Sequence, residues 1–490
     1  MPIRFAPVSF LLLAVFFCGP RPAFAQPITG ELAVSGNPHY FTDAHGTAII
    51  LNGSQTWNTF QDWGTEGTIQ PLDFAAFVKF LTAHGHNFTL LWTVEMPKFC
   101  GLPNTVESSD FVVTPLPWRR TGPGTATDGG LKFDLTKFDP AFFDRLRTRT
   151  EALKNAGIYA GVYLFTGEFL NIFRCSTDGY PLTGANNING VDDGYVSGKQ
   201  GINAVAMTAP NAITRYQDAY VEKVIDTLND LPNVLWVVSE EAPPNSTWWN
   251  AHQIAHIRAY ESHKAHQHPI GYAAPISIWD SIVYNSDADW VAPAAVVSPA
   301  SSCGAGKPAC KVNVNDSDHS YFGMWNETPL RNRNYEWENF LTGNQVLFMD
   351  PYLVYYPRER RNLCVSPTHS ICAAPDTRYD TFRDNLGYIL KYSRKLDLLH
   401  ITPRDTLSST GYCLTNGQGS EYLIYVPSGG SFTVNLSTPS NSRKLAVEWF
   451  NPSTGAVTTA EPVATGSPAQ RFTPPFSGDA VLYLHDVARN

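Results

Sequence analysis

Eight short apolar runs, each followed by a helical pattern or a turn-rich segment, most constrain how this chain of 490 residues can fold. A short apolar run bounded by turn residues is typical of a strand buried on both faces. The stretch PLDFAAFVKFLTAHG between two runs has Phe74, Phe77 and Leu81 at helical spacing. Eight alternating units of strand and helix predict a (β/α)8 TIM barrel, which is an α/β fold. The runs are AIILNGS (48–54), NFTLLWTVE (87–95), IYAGVYLFTGE (158–168), NVLWVVSEE (233–241), PIGYAAP (269–275), ADWVAP (288–293), KVNVND (311–316) and NQVLFMD (344–350).

Most of these runs close on a carboxylate. In a (β/α)8 barrel the active site lies at the carboxyl ends of the strands, so the closing residues are candidate site residues. A purely structural barrel would vary these positions among polar, glycine and charged residues, so the concentration of acids favours a catalytic cleft. The closing residues are Asn52, Ser54, Glu95, Glu168, Glu240, Glu241, Asp316 and Asp350.

The fourth run ends in two adjacent carboxylates, Glu240 and Glu241. Hydrolysis of a glycosidic bond needs one carboxylic acid to protonate the leaving oxygen and a second carboxylate to attack the anomeric carbon or activate water. Two neighbouring carboxylates favour the protonated form of one of them, which suits Glu241 as the acid. The seventh strand lies on roughly the opposite side of the ring, and there the second carboxylate is Asp316 or Asp318.

Closely spaced acids such as those in NDSD (315–318) are also calcium ligands, but no EF-hand spacing follows them. No C-x-x-C or Cys/His cluster indicates a zinc site. We therefore predict no metal and no cofactor.

A carbohydrate substrate is predicted from the same positions. Aromatic residues make up 13% of the chain, and rings beside strand ends can stack on sugars, although packing at the barrel top is the alternative role. Carboxylates there can hold sugar hydroxyls by charge-assisted hydrogen bonds. The predicted substrate-binding residues are Trp57, Asn58, Trp92, Glu95, Glu168, Glu240, His319, Asp350 and Tyr352.

The sequence pattern changes near residue 404. From there, short alternating runs are separated by Gly, Pro, Ser and Asn, which predicts a small β-sandwich. We predict a signal peptide at 1–25, a barrel domain at 26–404 and an all-β accessory domain at 405–490.

The first 25 residues read as a signal peptide, with Arg4, an apolar run and an A-x-A cleavage pattern at Ala23 to Ala25. An uncleaved anchor is the alternative, but the run is shorter than the about 20 residues that a span needs. We expect a secreted or periplasmic protein that does not bind membranes. Loss of Arg4 and Arg21 changes the formal charge from −9 to −11, which argues against nucleic acid as a partner.

Export implies an oxidising compartment, so the cysteines of the mature chain are candidates for disulfides. Close spacing suggests two local pairs, a third pair could form if its two loops lie on the same face, and Cys413 is then left alone. The pairs are Cys303 with Cys310, Cys364 with Cys372, and Cys100 with Cys175.

The segment VLWVVSEEAPPNSTWW (234–249) resembles the fourth-strand segment of glycoside hydrolase clan A, in which an apolar strand ends in Asn-Glu and the Glu is the acid/base. The resemblance places Glu241 on the catalytic Glu. It places Glu240 on the Asn, which in the clan donates a hydrogen bond to the sugar 2-hydroxyl.

Other segments resemble a narrower group, the apiosidase-like proteins. GNPHYFTDAHGTAIILNGSQTWNTFQD (36–62) is similar to their N-terminal stretch, with Gln55 in place of a His. NDSDHSYFGMWN, YEWENFLTGNQVLFMDPY and DNLGYILKYSRKLDLLHITP resemble their later barrel segments, and the C-terminal part resembles a β domain named for collagen binding.

This resemblance implies a secreted glycoside hydrolase that acts on plant-type or bacterial polysaccharides or oligosaccharides by a retaining, double-displacement mechanism. The altered positions Gln55, Glu240 and Asp316 keep one alternative open, a catalytically inactive carbohydrate-binding barrel.

Overall fold

The computed structural model describes most of the chain after the predicted signal peptide, and residues 1–26 lie outside the described part. The described residues are 27–56, 58–64, 69, 71–100, 110–171, 177–196, 200–275, 281–293, 310–317, 329–350, 352, 377–437 and 443–489.

Eight parallel strands form the central sheet, in the spatial order β1-β8-β7-β6-β5-β4-β3-β2. The sheet nearly closes between β1 and β2, where the Thr89 hydroxyl donates to the Ser54 carbonyl at 2.8 Å. Seven of the predicted runs contain one of these strands and the first run overlaps β1, so the predicted barrel is confirmed. The strands are β1 (Gly53–Gln55), β2 (Phe88–Leu91), β3 (Tyr159–Thr166), β4 (Val234–Glu240), β5 (Ile270–Ala273), β6 (Trp290–Ala292), β7 (Val312–Asp316) and β8 (Gln345–Met349).

The first predicted run, 48–54, divides between two sheets. Its early part, Ala48–Ile49, pairs with Phe41–Thr42, which also pairs with Ala33–Val34 in a small antiparallel sheet. Only Gly53–Gln55 joins the barrel.

Two of the described helices, those that begin at Phe74 and Pro140, have an aspartate at the N-cap. The Asp73 side chain accepts from the Ala76 N–H at 2.9 Å, and the Asp139 side chain accepts from the Ala141 N–H at 3.0 Å. The described helices are α1 (Phe74–Ala83), α2 (Pro140–Asn155), α3 (Glu168–Asn171), α4 (Thr214–Leu228), α5 (Thr247–Glu261), α6 (Ser281–Tyr284), α7 (Pro329–Leu341) and α8 (Asp380–Ser393), with short 3-10 turns at Gly184–Asn186, Ile202–Ala204, Thr377–Tyr379, Asp405–Leu407 and Val487–Arg489.

Large rings fill the barrel interior. The rings of Phe88 on β2 and Trp290 on β6, from opposite sides of the barrel, meet with centroids 6.4 Å apart. Two glycines leave room for these rings. A Cβ on Gly271 would lie 2.3 Å from the Trp290 ring, and one on Gly161 would lie 3.1 Å from the Phe88 ring. The interior is therefore packed, and a site can form only at the ends of the strands.

Additional strands between β1 and α2 were not predicted. Asp62–Gly64, Asp110–Thr114 and Lys98–Cys100 form an antiparallel sheet with Asp110–Thr114 in the centre. Trp118–Thr125 and Leu131–Phe138 form a hairpin. Most of these strands are inserted after β2, so they extend the barrel beyond the carboxyl end of that strand.

The C-terminal part forms two antiparallel sheets, which confirms the predicted all-β fold. Its first strand begins at residue 401, and the Cys413 thiol is free and buried. The three predicted cysteine pairings each involve at least one residue outside the described part, so they stay predictions. The strands are β9 (Ile401–Pro403), β10 (Cys413–Asn416), β11 (Glu421–Val426), β12 (Phe432–Val434), β13 (Lys444–Asn451), β14 (Ala456–Ala464), β15 (Gln470–Phe472) and β16 (Ala480–Asp486).

Helix α7 packs the barrel against this C-terminal part. The Arg333 guanidinium donates two hydrogen bonds to the Asp479 carboxylate, at 2.9 and 2.8 Å. The fully buried Trp337 ring stacks on Tyr425, with centroids 6.1 Å apart. A buried ion pair and an aromatic cluster therefore join the two parts.

Candidate functional site

A connected row of side chains crosses the carboxyl end of the barrel. The Gln55 amide donates to Asp316 Oδ2 at 3.3 Å, and the Trp92 indole N–H donates to Gln55 Oε1 at 2.7 Å. The Trp92 ring stacks on the Tyr163 ring, with centroids 4.6 Å apart. The Tyr163 hydroxyl donates to Glu240 Oε2. This row links the ends of β1, β2, β3, β4 and β7.

The Tyr163 hydroxyl lies within the field of three carboxylates. Burial raises the pKa of Tyr163 well above its ordinary value, and the negative charges of Glu240, Asp316 and Glu168 raise it further. The hydroxyl therefore remains a proton donor throughout the physiological pH range. The row of contacts through Gln55, Trp92 and Tyr163 therefore joins Asp316, at the end of β7, to Glu240, at the end of β4.

Glu241 follows β4 immediately and has a φ of +43°. Among the described residues, it is the one non-glycine residue with a positive φ. Such a conformation is strained for an L residue, and strained residues cluster at active sites. Gly167 packs directly against this turn, because a Cβ there would lie 2.2 Å from the Glu240 carbonyl oxygen and 2.7 Å from the Ala242 Cα. The tight packing against Gly167 helps to hold the strained turn.

Glu95 is predicted to bind substrate, but its carboxylate has partners within the protein. The Thr166 N–H donates to Oε2 at 2.9 Å, and the Tyr180 hydroxyl donates to Oε1 at 3.1 Å. The side chain is 1% exposed, and burial raises its pKa to about 7 although both donors lower it. This geometry favours a role in holding the end of β3.

Asp350 and Tyr352 are also engaged within the protein. Asp350 accepts from Arg383 Nε at 2.8 Å and from a second guanidinium nitrogen, and both side chains are fully buried. The Tyr352 ring packs on Phe77 and Phe80, with centroids 5.2 and 4.5 Å apart. Substrate binding by these two residues stays a prediction, while the contacts favour a structural role for both.

The remaining predicted residues divide into two groups. Asn58, Glu168 and Trp92 are buried at the same end of the barrel, and one face of Trp92 is covered by Tyr163. Trp57, Asp318 and His319 lie outside the described residues, so the choice between Asp316 and Asp318 as second carboxylate stays open.

Sequence reasoning missed Tyr163, because a tyrosine inside an apolar run reads as an ordinary strand residue. It also missed that Gln55 contacts Asp316. The one sequence signal for this contact was that Gln55, a polar residue, directly follows the end of the first predicted strand.

Within the described ranges, no group of three or more His, Cys, Asp or Glu side chains is arranged to hold a metal ion. No helix there has the length and apolar character that a membrane span requires.

Two sequence families match parts of this chain. Residues 405–485 match a family described as "Putative collagen-binding domain of a collagenase". Residues 112–292 match a family described as "Domain of unknown function (DUF6298)". No curated protein matches the chain.

Three solved structures that are similar to this chain are described as glycoside hydrolases. A glycoside hydrolase family 5 protein from Bacteroides vulgatus is 12% identical with a TM-score of 0.60, over 94% of this chain and 93% of its own. A structure described as a putative glycoside hydrolase, also from Bacteroides vulgatus, is 15% identical with a TM-score of 0.62, over 94% of this chain and 82% of its own. A third, described as a glycoside hydrolase, is 12% identical with a TM-score of 0.58, over 94% of this chain and 98% of its own. At these identities the likeness shows the fold alone, so this chain shares the fold of these proteins.

Proposed function

We propose that this protein is a glycoside hydrolase. The observation that carries the proposal is the row of contacts that joins Asp316, through Gln55, Trp92 and Tyr163, to Glu240 at the carboxyl end of the barrel. The strained Glu241 follows Glu240 directly. Carboxylates from β4 and β7 are the groups that glycosidic cleavage needs, and they lie at the end of the barrel where active sites form.

In the proposed mechanism, Glu241 is the acid/base and Asp316 or Asp318 is the nucleophile. A carboxylate oxygen of the Asp forms a bond to the anomeric carbon while the glycosidic C–O bond breaks, and Glu241 transfers its proton to the leaving oxygen. Water then attacks the anomeric carbon, Glu241 accepts a proton from it, and the glycosyl–Asp ester bond breaks. Two inversions give net retention.

Glu240 and Tyr163 are assigned to sugar binding. The Tyr163 hydroxyl donates to Glu240 Oε2, so this carboxylate acts as a hydrogen-bond acceptor in the folded protein. A sugar hydroxyl would therefore act as donor to Glu240, the reverse of the amide interaction that the clan resemblance implies.

The proposed substrates rest on the sequence resemblance, and the proposed location, domain boundaries and disulfides rest on the residue patterns of the sequence. We propose substrates among plant-type or bacterial polysaccharides or oligosaccharides, action outside the cytoplasm after removal of residues 1–25, and a division into a barrel at 26–404 and an accessory domain at 405–490. The predicted disulfides belong to the same proposal.

The test is hydrolysis of a panel of aryl glycosides and of pectic and hemicellulosic oligosaccharides, with the first product's anomer followed by NMR. We expect retention in the wild type and a loss of about 10²–10⁴-fold in Glu241→Gln, the usual contribution of a positioned acid/base. Glu461→Gln, at an exposed position of β14, is the matched control and should keep full activity. If wild type and Glu241→Gln both bind sugars but neither cleaves any, the protein is the inactive carbohydrate-binding barrel instead.

A further inference from the structure

We propose that Glu95 is a positioning residue, which fixes the end of β3 and thereby the turn that presents Glu241. This inference rests on the proposed function, because it assigns Glu95 a part in the same reaction. Glu95 itself does not touch the reacting atoms in this assignment.

The first step is the anchoring of β3 and of the loop that follows it. Glu95 comes shortly after β2, while the Thr166 N–H that it binds belongs to the last residue of β3. Its other oxygen accepts from Tyr180, which lies in the segment that leads from α3 towards α4. One buried carboxylate therefore ties together three parts of the chain.

The second step leads from β3 to Glu241. Thr166 is paired with Glu240 in the parallel sheet. The next residue, Gly167, contacts the backbone of Glu240 and Ala242 so closely that no side chain fits. The position of Thr166 and Gly167 therefore restricts the backbone on both sides of Glu241, whose φ is +43°.

The third step is the proton on Glu95. The titratable groups that face it are Tyr180, from the loop, and Tyr220, on α4, while Asp193 acts on Tyr180. Burial raises the pKa of Glu95 to about 7 in the folded protein. The unfolded chain therefore releases this proton at a lower pH than the folded protein, so rising pH destabilises the fold between about 4.5 and 7.

A glutamine at this position should reproduce the protonated form. Its amide oxygen can accept from the Thr166 N–H, and its NH2 group can donate to the Tyr180 oxygen. Glu95→Gln should therefore keep the connection between β2 and β3, whereas Glu95→Ala should remove it.

The experiment compares the two variants with wild type in kcat and KM, on an aryl glycoside that the wild type cleaves. We expect Glu95→Ala to lower kcat by about 10–100-fold with KM changed less than about threefold, since a small misplacement of a catalytic group costs rate more than binding. Glu95→Gln should restore kcat to within about threefold of wild type. Its thermal midpoint should also fall less between pH 5 and 7 than that of wild type, because the variant lacks the proton that Glu95 loses in this range.

Equal kcat values in wild type and Glu95→Ala would overturn the proposal, as would a failure of Glu95→Gln to restore kcat. If Glu95→Ala does not fold, Gly167→Ala tests the same connection and should lower kcat at least tenfold. A crystal structure of Glu95→Ala separates the two proposals even if the wild type cleaves nothing. A displaced turn at Glu241 then supports the positioning role, and an unchanged turn refutes it.

Discussion

Replacement of Asp350 by Asn distinguishes a structural role for this residue from the substrate-binding role that its place after β8 predicts. Asp350 and Arg383 are both fully buried and share two hydrogen bonds. The variant keeps the shape of the side chain but leaves the Arg383 charge without its buried partner. Asp380, which also binds Arg383 at 2.9 Å, is 42% exposed and compensates only in part.

Breaking one side of a buried ion pair costs about 3–5 kcal/mol, a large share of the about 5–15 kcal/mol by which a typical protein is stable. We expect Asp350→Asn to lower the free energy of unfolding by that amount. Urea titration followed by far-UV circular dichroism measures the loss of unfolding free energy. Hydrolysis rates are measured on the same protein at urea concentrations below the unfolding transition.

The control is Asp230→Asn. Asp230 pairs with Arg147 at 2.8 Å, but the two side chains are 61% and 38% exposed. Such a pair contributes at most about 1 kcal/mol. If Asp350→Asn is as stable as this control while KM for the sugar rises tenfold or more, Asp350 is a substrate ligand and the structural argument is wrong.

Two further predictions concern the contact between the barrel and the C-terminal sheets. Asp479→Asn removes the charged partner of Arg333, whose side chain is nearly buried. It should lower the urea midpoint more than Asp230→Asn does, and an equal shift would contradict this. Glu336 is fully buried and, within the described ranges, neither oxygen has a hydrogen-bond partner. Burial, and to a lesser extent Asp384 and Asp479, raise its pKa well above the ordinary value despite Arg333. Its folded form therefore keeps a proton that the unfolded chain loses above about pH 4.5, and stability falls as pH rises. Glu336→Gln should gain stability over wild type from pH 5 to 8 in thermal unfolding, and parallel pH profiles would refute this.

The order and type of the barrel elements could be predicted from local pattern alone. Buried parallel strands such as β4 are continuous apolar runs, and helices such as α4 repeat apolar residues at helical spacing. The extra strands between β1 and α2 were missed because they do not follow this alternation. Trp118–Thr125, for example, contains two glycines and a proline, which read as a loop.

The candidate site was predictable as a location but only partly as a set of roles. The rule that sites lie at the carboxyl ends of strands selected Glu240, Glu241 and Asp316. The same rule also selected Glu95 and Asp350, whose carboxylates bind Thr166, Tyr180 and Arg383. The strand end fixes where a side chain lies, but the residues that surround the side chain decide what the side chain binds.

The sequence by itself determined the barrel strands, the alternation of strand and helix, and the carboxylates that end the strands, because these depend on residues near each other in the chain. Only the tertiary structure decided which of these groups meet. Gln55 contacts Asp316 across 261 positions of sequence, and Tyr163 contacts Glu240 across 77. Near-closure of the eight-stranded sheet places the ends of distant strands side by side, and no local pattern records that proximity.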